Sequence, residues 1–447
     1  MPCMAIKKTR GRLRANAARH AEDSAHTATG PLGLSVPPRT LSIMSAPPAP
    51  TTDTNTLPGY VCPSDGFRAE ATSLAWCCPR CGGPFDLDFT PGEGSAPGPP
   101  SLASLTGRVN SLWRYAEVLP FGAPSISLGE GRTPLVPLAG AVRAKLDFLM
   151  PTLSFKDRGA VLLAELALRL GPDHVIADSS GNAGTAIAAY CARAGLDCTV
   201  YVPEGTSPKK LEQIGGHGAR LQVVPGDRET TAAAARTAAN GPGVFYASHV
   251  HNPYFLAGTK TYVYELWEEL GGRLPSALVV PVGNGTLLLG AALATAELHA
   301  AGLIAERPAL YAVQSAAVAP LAAAHRAGAD GLLAPEPVRP TLAEGIAIPR
   351  PPRAAQILRA VRDCGGSFLT VEEDRIRDAQ HDLARRGLYV ESTGVACWAA
   401  VRDGALAETD AVVPLCGAAL KTGLAPTPTG DRQPPTDGDS GRLTTDD

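Results

Sequence analysis

Lys156 stands in the stretch PTLSFKDRG, Pro151 to Gly159, immediately ahead of the apolar run AVLLAELALRL. The spacing of that run predicts a packed helix, with Ser154 and Asp157 reading as a capping box at its start. A cation in the first turn faces the positive end of the helix dipole, so the ammonium is destabilised. A lysine that gives up its proton readily is a nucleophilic amine able to condense with a carbonyl. The plain alternative is a surface cluster, Lys156-Asp157-Arg158. Two further stretches carry glycine and small polar residues between an apolar run and a helical one: Ser179-Ser180-Gly181-Asn182-Ala183-Gly184, and Gly283-Asn284-Gly285-Thr286 with Leu287 after it. Turns of this kind present unpaired N–H groups at a helix start, where phosphate or carboxylate binds. Neither is a nucleotide loop, because Leu288 occupies the place of the third glycine of a dinucleotide fingerprint and no Walker lysine is present. A tight connection with no ligand is the plain alternative for each.

A fourth group has metal-ligand spacing. In YVCPSDGFRAEATSLAWCCPRCGGPFDLDF the Cys78-Pro-Arg-Cys81-Gly-Gly knuckle presents two thiolates to one tetrahedral ion. Its partner knuckle has Cys62 but Asp65 where a second cysteine is expected. Zinc accepts a carboxylate oxygen, so Cys62, Asp65, Cys78 and Cys81 make a closed structural set with no catalytic role; a ribbon that has lost its metal reads the same. Cys77 stands outside the set. His249 and His251 read as packed or surface imidazoles, and Cys191, Cys198, Cys364 and Cys397 as core.

The elements that must position these groups follow from hydrophobic patterning. Short, almost wholly apolar runs (HVIADSS, DCTVYVP, ARLQVVP, ALVVPVG, LYAVQS, SFLTV, AVVPLCG) alternate with Ala/Leu-rich helical stretches. That is the pattern of parallel strands covered on both faces, an α/β architecture of three layers. Residues 1–57 are rich in Pro, Ala, Thr and Arg without periodicity and predict a disordered extension. Its basic start resembles an organelle transit peptide, and Met44 is an alternative first residue. Residues 58–90 form the ribbon-like segment, a Pro/Gly linker follows, residues 100–425 form the main region, and 426–447 read as a loose tail. A formal net charge of −3 argues against nucleic acid or an acidic membrane surface as partner. No apolar run reaches the roughly 18 residues of a membrane span. Ten scattered cysteines in a chain of 447 residues fit a reducing cytoplasm.

The amine and the two anion-binding turns together ask for a ligand carrying an aldehyde and a phosphate, and a substrate carrying a carboxylate. Pyridoxal phosphate and an amino acid meet that description. The chain resembles the threonine synthase branch of the fold-type II, tryptophan synthase β-like pyridoxal-phosphate enzymes, from about Cys62 to Gly423, in GEGRTPL (129–135), PTLSFKDRG, SSGNAG, VGNGT and PLCGAALK (414–421). The resemblance implies two three-layer α/β/α domains with the cofactor between them, the smaller inserted at about 155–250, and a homodimer. It places the Schiff-base lysine at Lys156 and the asparagine that bonds the cofactor's phenolic oxygen at Asn182. The cofactor-phosphate turn falls on Gly283 to Leu287, and the substrate-carboxylate turn on Ser179 to Ala183. The residue facing the pyridine nitrogen falls on Cys416, a weak neutral partner. Two positions depart from the family. Leu153 replaces a usual glycine, and Phe255 replaces an arginine that helps hold the substrate's phosphate, leaving Lys260 as the nearby cation; Phe255→Arg is then expected to improve use of a phosphorylated substrate. The implied reaction is conversion of O-phosphohomoserine and water to threonine and phosphate. The alternatives are a threonine or serine dehydratase and a non-catalytic binding protein of the same fold, against which the intact Lys156 and Asn182 speak.

Overall fold

The computed structural model describes residues 57–88, 98–334, 337–402, 404 and 406–426. The expected extension at 1–57 (apart from Leu57) and the tail beyond Pro426 lie outside them, as does most of the linker. The chain starts with a three-stranded antiparallel ribbon: β1 (Gly59–Val61), β2 (Arg68–Ala69) and β3 (Asp86–Asp88), in the order β2-β1-β3. Two strands of the main region follow, β4 (Leu135–Ala139) and β5 (Val142–Lys145), and then helix α1 (Asp157–Leu170). The next stretch alternates strand and helix: β6 (His174–Ala177), α2 (Asn182–Ala194), β7 (Cys198–Pro203), α3 (Pro208–Gly216), β8 (Arg220–Val224), α4 (Arg228–Ala238) and β9 (Val244–Tyr246). Helices α5 (Pro253–Thr259) and α6 (Thr261–Glu269) lead back to β10 (Ala277–Pro281) and α7 (Thr286–Ala300). The remaining elements are β11 (Ala309–Ser315), α8 (Pro320–Arg326), α9 (Ala354–Asp363), β12 (Phe368–Val371), α10 (Glu373–Arg385), α11 (Ser392–Val401) and β13 (Ala411–Pro414).

Two parallel sheets result, ordered β8-β7-β6-β9 and β12-β11-β10-β13-β5-β4. Every pairing in them is parallel except the edge pair β4–β5. Strand β10, at the centre of the larger sheet, buries all five residues, as its apolar sequence requires. Strand β8 does not match the expectation of two covered faces. It is an edge strand, and three of its five residues are exposed. Strands β4, β5 and β9 are not among the runs quoted above: β4 is broken by Pro137, β5 carries Arg143 and Lys145, and β9 is three residues long.

Helix α1 is the element that presents Lys156. Leu162, Leu163 and Leu166 on it are fully buried, each worth about 1.5–3 kcal/mol relative to exposure. Gly171 ends the helix in the left-handed conformation, φ 60°, its N–H donating to the Ala167 carbonyl. Helix α5 crosses α1 at contact distance because Gly258 has no side chain: a Cβ there would fall onto the carbonyl of Arg158.

The start of α1 is pinned by buried charge. The Arg158 guanidinium donates to both oxygens of Asp147 at 2.8 and 2.9 Å and to both of Glu265 at 2.6 and 2.9 Å. All three side chains are fully buried, and Lys145 pairs with Glu265 at 2.9 Å. Burial alone would push the Glu265 carboxyl up, but Arg158 and Lys145 overcome it and hold it at about 2, against an ordinary 4.5. Its folded value is thus depressed, so its stabilisation is complete above pH 4.5 and disappears as pH falls through about 2. Glu265→Ala strands half of Arg158's charge in the core and should cost about 3–5 kcal/mol in denaturant unfolding at neutral pH. A cost below about 1 kcal/mol, the range of exposed pairs, would show that the network does not hold the helix.

Candidate active site

The capping box expected at Ser154 does not form. Leu153 takes a left-handed conformation, φ 64°. A glycine suits this place, whereas a leucine is strained there by about 1–2 kcal/mol. The turn sends Ser154 into the interior, where its hydroxyl is buried without a partner among the described residues. Asp157 instead accepts the Thr152 N–H at 2.7 Å and the Thr152 hydroxyl. Lys156 therefore occupies the N-cap position, without a side-chain cap bond.

From there its side chain reaches into a cavity of about 360 Å³. The turns Ser179–Ala183 and Gly283–Leu287 line the same cavity, so the amine and both turns come together. The first turn is tight because Gly184 has no Cβ to strike the Ser179 carbonyl, and it delivers the N-terminus of α2. The second delivers the N-terminus of α7 through Gly285, φ 74°. The first N–H groups of each helix have no intrahelical partner. Lys156 Nζ lies 3.5 Å from the Thr286 hydroxyl, at the mouth of α7, and 4.2 Å from the centroid of Phe155. Burial drives its pKa down from 10.5 to about 8; Cys416 and Glu391 oppose the shift, and Arg228 adds to it.

Asn182, the first residue of α2, is held at both ends of its amide. Its nitrogen donates to the Glu391 carboxylate at 2.9 and 3.1 Å, and its oxygen accepts from the Lys421 ammonium. Burial raises the Glu391 pKa, with Lys421 and Asn182 pulling against it, and burial likewise lowers that of Lys421. Neither Lys421 nor Glu391 stands out as a site residue in the sequence, although Lys421 closes the PLCGAALK motif quoted above. His249, read from the sequence as a packed or surface imidazole, lines the cavity with its Nε2 3.5 Å from the Asn284 amide. Burial, reinforced by Lys156, keeps its imidazole neutral. The turn that carries it is fixed by Asn252, which caps α5 by accepting the Tyr254 N–H at 3.0 Å, with Pro253 at the first helical position.

Three expected residues are placed elsewhere. Lys260 does not line the cavity: its ammonium is spent on Glu297 at 2.7 Å. Phe255 is fully buried one layer behind, its ring packed where a Cβ on Gly159 would lie and 5.7 Å from Lys156 Nζ. Arginine at 255 would thus add a cation beside an ammonium that burial already disfavours, and the expected gain from Phe255→Arg loses its basis. Cys416 is also behind the lining; burial raises its pKa well above 9, so it stays a neutral thiol, donating to the Pro414 carbonyl at 3.6 Å. The cations that do line the cavity beside Lys156 and Lys421 are Lys210, paired with Glu344 at 2.7 Å, and the exposed Arg228 at the start of α4. Cys62, Asp65, Cys78 and Cys81 come together in the ribbon, outside the cavity.

Residues 126–417 match the family model described as "Pyridoxal-phosphate dependent enzyme". Threonine synthase of Methanosarcina acetivorans is 30% identical over 351 residues, covering 76% of this chain and 85% of that protein. Threonine synthase of Mycobacterium tuberculosis is 32% identical over 315 residues, covering 67% and 84%. Among solved structures, a threonine deaminase from T.th. aligns with a TM-score of 0.53 and 28% identity over 62% of this chain and 87% of that one. Maize serine racemase, at 20% identity and a TM-score of 0.55 over 64% and 88%, shares the fold. Since the neutral amine is the form that captures an aldehyde, the rate at which the apo-protein takes up pyridoxal phosphate should climb through pH 8 and level off above it. A stopped-flow absorbance profile still rising toward 10.5, the ordinary lysine value, would contradict the burial of Lys156.

Proposed function

The chain belongs to the pyridoxal-phosphate-dependent enzyme family, in its threonine synthase-like branch, and on that premise we propose a lyase that converts O-phosphohomoserine and water to threonine and phosphate. The observation that supports it is one amine, its pKa lowered to about 8, set between the N-termini of two helices in a single cavity. These residues fit the cofactor. The donor set is one readily deprotonated amine and two clusters of N–H groups, and Gly181 keeps the space before α2 open, a Cβ there meeting nothing nearer than 4.0 Å. Bound there, pyridoxal phosphate supplies the carbonyl carbon and the electron-withdrawing ring that acidify the substrate's Cα proton.

The chain's own residues then divide the work. Lys156 Nζ holds the cofactor and, once displaced by the substrate's amine, accepts the Cα proton. The Gly283–Leu287 turn binds the cofactor's phosphate, and the Ser179–Ala183 turn binds the substrate's carboxylate. Asn182, its amide fixed by Glu391 and Lys421, donates toward the cofactor's phenolic oxygen. Cys416, expected to face the ring nitrogen, lies behind the cavity lining as a neutral thiol, so it offers that nitrogen no charged partner. Lys210 and Arg228 receive the anionic leaving group in place of the family's arginine. We read residues 155–250 as the smaller of two domains, and a cytoplasmic homodimer as the working form.

A second reading, loss of the hydroxyl of threonine or serine to give ammonia and a 2-oxo acid, gains support from the likeness to a solved threonine deaminase at 28% identity. Parallel assays decide: phosphate and threonine from O-phosphohomoserine, 2-oxo acid from threonine and serine. Arg228→Ala and Lys210→Ala should each raise KM for O-phosphohomoserine by roughly 10- to 100-fold, from about 1.5–3 kcal/mol per charged hydrogen bond, with a smaller effect on kcat. Unchanged KM in both variants, or faster 2-oxo acid release than threonine formation, would favour the dehydratase.

A further inference from the structure

We propose that the N-terminal ribbon holds one zinc ion on Cys62, Cys78, Cys81 and Asp65, and that this ion braces the turn that carries His249 into the cavity. The site lies outside residues 126–417, the span that matches the family, and does not depend on the reaction assigned above.

Two tight turns build it. After β1, Cys62 donates its N–H to the Phe67 carbonyl at 2.7 Å and accepts from Gly66 at 3.0 Å, while the Asp65 carboxylate accepts the Phe67 N–H at 2.9 Å. Cys78 closes the second turn through the Gly82 N–H at 2.8 Å, and Gly82 is left-handed at φ 70°. Within that turn the N–H groups of Arg80 and Gly83 donate to the sulfurs of Cys78 and Cys81, both at 3.4 Å, and so orient the two sulfurs. The turns face each other. Cys62 and Cys81 sulfurs are 3.5 Å apart, Cys78 Sγ is 3.3 Å from an Asp65 oxygen, and all four donor atoms lie within 4.8 Å of one another. A tetrahedron with metal–sulfur bonds of about 2.3 Å has sulfur–sulfur edges of about 3.8 Å, so an ion fits at the centre. Three soft sulfurs and one carboxylate with no open position describe a structural zinc centre.

The ribbon's own apolar contacts centre on Phe85, stacked on Tyr60 at 5.2 Å and on Phe67 at 6.5 Å, and segments this small lean on a metal. What it packs against is the stretch behind the cavity. Asn252 Nδ2 donates to the Tyr60 hydroxyl at 3.4 Å, the Tyr254 hydroxyl donates to the Pro58 carbonyl at 2.8 Å, and Trp76 meets His251 edge-on at 5.2 Å. Buried Arg353 ties the two together, donating to the Phe85 carbonyl at 2.6 Å on one side and to those of Val250 and His251 at 2.7 and 3.1 Å on the other. His249 is the residue before that clamp.

Elemental analysis of the full-length protein, purified without chelator from zinc-supplemented cells, should find one zinc per chain. Cobalt exchanged into the site should give tetrahedral thiolate–cobalt absorption. Cys78→Ser and Cys81→Ser should abolish binding, Asp65→Cys should retain it, and Asp65→Ala should weaken it by roughly tenfold or more, since even losing an outer-sphere partner costs that much. Asp65 is exposed, so its variants fold regardless of the core. A folded protein free of metal, iron in place of zinc, or cobalt bound equally by Asp65→Ala would overturn the site. Removing the zinc should speed amide exchange over residues 247–255 and lower the thermal midpoint. Unchanged exchange there would overturn the brace.

Discussion

Arg158 is the residue on which the site's geometry depends. Two carboxylates and a guanidinium, none with access to water, are costly to bury, and only their mutual bonds offset that cost. What the arrangement yields is position. Asp147 precedes α1, Glu265 belongs to α6, and Arg158 is the second residue of α1, so the network fixes the first turn of α1 against a helix roughly a hundred residues later in the chain. Lys156 is two residues away and has one direction left to take, into the cavity. The close crossing of α1 and α5 at Gly258 removes the remaining freedom and brings the Phe255 ring beneath the lysine.

The chemistry of the site follows from burial and from helix ends rather than from any single reactive residue. Desolvation weakens the ammonium of Lys156. The N-termini of α2 and α7 open on the same space and supply fixed donors that no pH change removes. Charged side chains supply orientation: Glu391 and Lys421 leave the Asn182 amide a single way round. Cations suited to an anionic leaving group come from α3 and α4 instead of from α5, where the C-terminal Lys260 is committed to Glu297.

Function is legible in the sequence where it depends on contiguous residues. The two glycine turns and the CPRC knuckle each carry their geometry within a few positions and lie where their spacing implies, while the lysine nonamer gives the helix start but not its cap. The facing of side chains set by distant packing is not legible in that way. Position 255 can be aligned with a family arginine, but not seen to lie under Gly159. His249 and Arg228 join the cavity from separate stretches with no local pattern to mark them, and Lys421 joins it from the end of PLCGAALK. The capping box fails for a related reason: Leu153 turns the chain left-handed, a conformation that a propensity reading does not assign to leucine. Edge strands are the other blind spot, since β8 is apolar enough to read as central and yet borders solvent.

Three lysines line the cavity, Lys156, Lys210 and Lys421, and Lys156, whose pKa burial lowers to about 8, is the amine we propose to carry the cofactor. Borohydride reduction of the protein loaded with pyridoxal phosphate, followed by peptide mapping, identifies that amine directly. The result expected is a single modified peptide containing Lys156, at one cofactor per chain. Modification at Lys210 or Lys421 with Lys156 untouched would contradict the assignment.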